Sequence, residues 1–240
     1  MRGYELMKET LLRRRFILIM HFVILGIYGL LFLPDLSEAH WQPALIGFSG
    51  FLLPIFISAG IFGDDVASGR IAALVTKPVH AAQLYLWRAA GLAAQGILHF
   101  GIAITLIIVL HRVTGRRDLD EAAFVVVAGF LLFCTCATLS TTISVLVKRE
   151  FNSAVLIIGA AILVATYAFL LNKYPNFWAT QAYHQLLKYG CPPLELISNG
   201  LGKPLLSRLL IVLHAVGLTA AYAGLGIFFL SMRQFPQARD

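Results

Sequence analysis

The chain has 240 residues, of which 59% are hydrophobic and only 13% charged, and its mean hydropathy is +0.80. So apolar a composition excludes an ordinary soluble domain or soluble helical bundle, whose helices need a polar face toward water. The net charge of +7 does not imply nucleic acid: there is no basic patch interleaved with aromatics, and basic residues flanking apolar runs meet anionic headgroups instead.

Residues 1–15 are too short and too charged to form a domain. Tyr4, Met7, Leu11 and Leu12 recur near helical spacing, with Lys8, Arg14 and Arg15 on other faces. That pattern suits a helix lying in the membrane interface, and a frayed basic tail is the plainer alternative. Six apolar runs follow, at about 16–34, 44–63, 88–110, 122–147, 152–171 and 206–232. A helix rises about 1.5 Å per residue, so about 20 residues cross a hydrocarbon layer of about 30 Å. Each run reaches that length with a middle nearly free of charge. The first is too long for the apolar region of a signal peptide and reads as a retained span.

An even number of spans puts both termini on one side. With the termini inside, 12 of the 19 Lys and Arg residues face the cytoplasm and 7 face out, as the positive-inside rule requires. Arg112, Arg116 and Arg117 fit that orientation poorly, since they fall outside. Cys134, Cys136 and Cys191 make no disulfide framework: two sit at i, i+2 in one span and the third in a separate loop.

Two connections are long. The outer one, 172–207, carries Trp178, Tyr183, Leu186, Leu187, Tyr189, Leu194 and Ile197 around a Cys191-Pro192-Pro193 break. It predicts two short helices at the outer membrane surface. Its Gly200-Leu201-Gly202-Lys203-Pro204 lacks the spacing and the Ser/Thr of a phosphate loop. His21, His99 and His214 fall within spans. An ionisable group there is a candidate site, and a pair at equal depth could ligate haem, but their depths differ and a neutral histidine bonded within the bundle reads better. Residues 134–144 read CTCATLSTTIS. They could line a polar path, or pack helices tightly with hydroxyls bonded across or back to their own backbone.

The inner connection, 64–88, reads DDVASGRIAALVTKPVHAAQLYLWR. Gly69 can end or bend a helix, Ile71, Leu74 and Val75 make an apolar stripe, and Pro78 breaks it. This predicts a short amphipathic helix across the cytoplasmic face, able to pass motion from a soluble partner to two spans. An ordinary basic loop anchored at the headgroups is the alternative.

The same stretch resembles the segment between the second and third spans of ABC type-2 transporter permeases. Asp65, Ser68-Gly69, Ile71, Leu74, Thr76-Lys77-Pro78-Val79, Arg88 and Gly91 fit that family's pattern, whereas Arg70 replaces its common Thr and His80-Ala81 its common Ser-Arg. Lys8-Glu9 followed by Arg13–Arg15 is similar to the family's interfacial helix, and Pro192-Pro193 falls where the family carries two short outer helices.

The resemblance implies one all-α integral membrane permease domain over 1–240. It would have six transmembrane helices, an N-terminal interfacial helix, a cytoplasmic coupling helix between spans 2 and 3, and short external helices between spans 5 and 6. It implies a transport subunit and not an enzyme, in a bacterial inner membrane with both termini cytoplasmic. Two permease chains would pair, as a homodimer or heterodimer, and each would dock a separate ATPase that holds the ATP and Mg. The contacts to that ATPase would come from Asp65, Ser68, Gly69, Arg70, Ile71, Leu74, Lys77 and Pro78, with Arg88 the basic residue at the entry to the third span. No cofactor or metal is expected on this chain. The competing reading is an integral-membrane transferase acting on a lipid or prenyl diphosphate. It rests on the Asp64-Asp65 pair, but no second acidic cluster accompanies it. A channel or secondary transporter would be expected to show charge at midplane or broken helices in repeated halves.

Overall fold

A computed structural model describes residues 3–12, 43–67, 80–114, 119–147 and 149–232, together with Arg15, Phe16, Ile19, Met20, Phe22, Val23 and Gly26. In chain order the helices are α1 (Gly3–Leu12), α2 (Pro43–Leu52, with wide π-type turns), α3 (Leu53–Ser58), α4 (Ile61–Ala67), α5 (Ala81–Thr114), α6 (Leu119–Leu146), α7 (Arg149–Lys173), α8 (Trp178–Gly190), α9 (Leu194–Gly200) and α10 (Leu205–Met232). No strand occurs among the described residues.

Proline punctuates this order. Pro54 falls in the first turn of α3, directly after the wide π-type turns of α2, and its missing N–H gives no bond to the carbonyls behind it. Pro175, Pro193 and Pro204 each stand shortly before α8, α9 and α10. Asp120 and Glu121 in the first turn of α6 complement its N-terminal dipole.

Among the described residues five stretches are long and apolar enough to cross a membrane: Leu45–Gly63, Ala81–Val109, Asp120–Leu146, Phe151–Lys173 and Leu205–Met232. They correspond to the last five apolar runs of the sequence. Of the first run, 16–34, the described residues Phe16, Ile19, Met20, Phe22, Val23 and Gly26 are helical, and the remainder lies outside the described residues.

Two boundaries differ from the sequence reading. The third helix starts at Ala81 and not near residue 88, because Arg88 is fully buried and does not end the apolar face. The second run is not one helix: it stops at Ala59 (φ −54, ψ 125) and Gly60 (φ 71), then resumes as α4.

α6 is the centre of the bundle and packs against α10, α5, α2 and α3. Val125, Ala128, Leu132, Phe133, Ala137 and Val145 on it are buried. Glycine brings its backbone close to α2: a side chain at Gly50 would stand 3.0 Å from the Gly129 carbonyl oxygen, the close approach that small residues permit between membrane helices. α7 buries none of its apolar window. It turns Phe151, Ile158, Ile162, Val164 and Phe169 outward, a surface suited to lipid tails.

Candidate functional site: a buried ionic clamp at the foot of the third span

One face of α5 carries Leu84, Arg88, Gly91 and Gln95, at helical steps of four, three and four, and α1 lies against it. Gly3 meets Trp87, Gly91 meets Met7 and Thr10, and Gln95 reaches Thr10 and Leu11. Eight residues along α1 thus match eight along α5, so the two helices run side by side in the same direction. Gly91 makes this possible, since a Cβ there would fall 2.6 Å from that of Thr10. Gln95 Nε2 donates to the carbonyls of Thr10 at 3.0 Å and Leu11 at 2.7 Å, a second tie between the two helices.

Arg88 is the hub. Its Nη2 lies 2.7 Å from Asp65 Oδ2 and 3.5 Å from Glu9 Oε2, and its Nη1 donates to Thr10 Oγ1 at 2.9 Å. The Thr10 hydroxyl hydrogen goes to the Leu6 carbonyl at 2.8 Å, which leaves its oxygen free to accept. A planar guanidinium with several fixed donors can serve three partners at once, where a lysine would offer one point charge. Arg88 and Asp65 are both buried, so each offsets the desolvation of the other. Glu9 is 30% exposed and adds little. The clamp therefore ties α1, α4 and α5 together at one point.

Of the residues singled out in the inner connection, the structure brings Asp65 and Arg88 into contact. Ser68, Gly69, Arg70, Ile71, Leu74, Lys77 and Pro78 lie outside the described residues. Glu9 entered the sequence reading only within a likeness, and Thr10 and Gln95 did not enter it. The signal that would have found Gln95 is its place one helical face along from Arg88 and Gly91.

The hydroxyls of 134–144 form a packing seam. Thr135, Thr138 and Thr141 each donate to the carbonyl four residues back. Thr135 Oγ1 lies 2.9 Å from Thr219 Oγ1 on α10. Thr142 Oγ1 is within 2.8 Å of both the Tyr222 carbonyl oxygen and the Tyr85 hydroxyl. Asn152 Nδ2 reaches Ser140 at 3.3 Å.

His99 is buried with its ring 4.7 Å from Phe22 and 5.1 Å from Phe100, and half-buried His214 meets the Tyr189 ring edge-on at 5.6 Å. His21 lies outside the described residues. Among those residues no group of three or more His, Cys, Asp or Glu could hold a metal ion.

The segment between α7 and α10 is tied down at several points. The Tyr222 hydroxyl donates to the Gly190 carbonyl at 2.6 Å and that of Tyr183 to Leu163 at 3.1 Å. Glu121 accepts from the Gly202 N–H at 3.0 Å, in a turn whose φ of 69 suits glycine. Arg208 lies over the Phe124 ring at 4.9 Å. Partial burial raises the Cys191 thiol above its ordinary pKa.

Compared with protein-family models, curated proteins and solved structures, the chain finds no match in any of the three. The described residues define an all-helical chain with five membrane-crossing candidates and a buried ionic clamp joining three of its helices.

Proposed function

We propose that this chain is the permease subunit of an ATP-driven ABC type-2 transporter, moving a lipid-like, drug-like or envelope-assembly substrate with the help of a separate ATPase. The observation that carries the reading is the contact between Asp65 and Arg88. Asp65 lies just before the connection that the sequence reads as an ATPase-coupling helix and Arg88 about two turns into the helix that follows it, so one buried ion pair joins the helices on either side of it. A push on it would reach α1, α4 and α5 together. In this reading the chain has six spans and cytoplasmic termini, sits in a bacterial inner membrane and works with a second permease chain. The ATP and Mg belong to the ATPase.

The same contact weakens the transferase alternative. Asp65 directs a carboxylate oxygen at a guanidinium, which competes with any metal-diphosphate it would need to hold.

The test is co-expression with an ATPase subunit encoded beside it. A stable complex with ATP turnover is expected, and the lone chain should hydrolyse none. ATP turnover by the purified lone chain, or prenyl or phosphatidyl transfer by it, would overturn the assignment.

A further inference from the structure

We infer that α4 is a hinged end of the second span, pivoting at Gly60 and latched by the Asp65–Arg88 pair, with α1 held by the same latch. The inference concerns motion within this chain and stands apart from which partner, if any, drives it.

Nothing in the composition ends a helix at residue 59, since the apolar window continues from Leu45 to Gly63. The break is in the backbone. Ala59 is extended and Gly60 takes a φ of 71, a conformation that strains any L side chain and that glycine adopts freely. The break is also internal: Ser58, Ala59, Ile61 and Phe62 are buried. Backbone groups freed in such a place need other partners. The Phe62 N–H finds the Ser144 hydroxyl, at a long 3.5 Å.

α4 packs on α6 and α7 as well as on α5. Phe62 stacks on Tyr85, ring centroids 5.7 Å apart and 13° from parallel, and Asp65 pairs with Arg88. The two contacts lie one turn apart on each helix. Drawing a buried ion pair apart sets the desolvation of its charges against the motion. The latch therefore resists small displacements more than a purely apolar contact would.

Arg88 also holds Thr10 and approaches Glu9. Whatever opens α4 takes the Asp65 counter-charge away from Arg88, and by linkage whatever releases α1 weakens the hold on α4.

Hydrogen exchange of the full chain in lipid nanodiscs tests this, following amides in 61–67, 3–12 and, as the reference, 125–145. In the native chain 61–67 should exchange faster than 53–58. Asp65→Asn should raise exchange about 10-fold in both 61–67 and 3–12, a shift worth about 1.4 kcal/mol of opening energy, and leave 125–145 unchanged. Gly60→Ala leaves both charges in place. It should nevertheless raise exchange in 3–12, because a side chain at residue 60 favours a straight second span and draws α4 from the latch. If 61–67 exchanges in step with 53–58 in all three proteins, there is no hinge. If Gly60→Ala leaves 3–12 unchanged, hinge and latch are not coupled. Lost protection throughout 125–145 in Asp65→Asn would make the pair a structural strut, and that too would overturn the inference.

Discussion

Replacing Arg88 by Met keeps a long side chain and removes the charge, so it isolates what the guanidinium does. Asp65, 1% exposed, would lose the guanidinium beside it while staying buried, a change that costs up to about 3–5 kcal/mol. The Thr10 hydroxyl keeps its bond to Leu6, so its loss adds under about 1 kcal/mol. Glu9, partly in water, adds about 0–1 kcal/mol. Asp65→Asn should be milder, about 1.5–3 kcal/mol, because Arg88 retains Thr10 and stays near Glu9. The double variant Asp65→Asn/Arg88→Met buries no charge at this pair. It should be more stable than Arg88→Met alone, so that the coupling exceeds the cost of Asp65→Asn. The assay is SDS-titrated unfolding of the full chain in mixed micelles, read by tryptophan fluorescence. Trp87 serves as a local reporter, since it packs beside Gly3. An Arg88→Met cost under about 1 kcal/mol, the range of exposed pairs, or a double variant equal to the sum of the singles, would refute the clamp.

Gln95→Leu removes two bonds, to the Thr10 and Leu11 carbonyls, and should cost about 1–3 kcal/mol, seen as early proteolysis within 3–12 while the bundle stays folded. At Gly226 any Cβ overlaps the Tyr85 ring, so Gly226→Val should lower stability by about 1–3 kcal/mol through overpacking, measured by the same unfolding titration. With native Cys191 replaced, a cysteine at Asn176 should react with an impermeant thiol reagent in intact cells, and one at Ser68 only after permeabilisation; the reverse pattern would invert the topology. Burial disfavours the Cys191 thiolate and raises its pKa from 9.0, so alkylation at pH 8–9 should be slower than for a free thiol and should accelerate only at more alkaline pH.

The long apolar helices were legible because hydropathy over about 20 residues depends on composition alone. Asp65 and Arg88 stood out through the likeness to the permease segment, one near each end of the stretch that carries it. Their being each other's partner was not legible, since nothing local says that a residue at 65 meets one at 88. Thr10 and Gln95 were harder still: polar but uncharged, they acquire their role only when α1 folds against α5. In 134–144 the composition allowed either a lined path or a packed seam, and the positions of Thr219 and Tyr222, some 80 residues later, decide for packing. The interruption at Gly60 is invisible to hydropathy, because a glycine in an apolar run reads the same whether its φ is negative or positive.

The clamp and the hydroxyl seam also carry a consequence for synthesis. Thr10 and Arg88 are 78 residues apart, Leu11 and Gln95 are 84, and Thr135 and Thr219 are likewise 84. At about 5–20 residues per second, about 4–16 s pass between the making of one partner and the other. Through that interval α1 leaves the ribosome with Thr10 facing whatever is nearby. α6 meanwhile enters the bilayer with its cross-helix hydroxyl partners on α10 not yet made, each hydroxyl satisfied by its own backbone. Back-bonding to the carbonyl four residues earlier is what lets such a helix wait in lipid. Insertion order then becomes assembly order: α1 is captured when α5 arrives, and α6 is sealed only by α10.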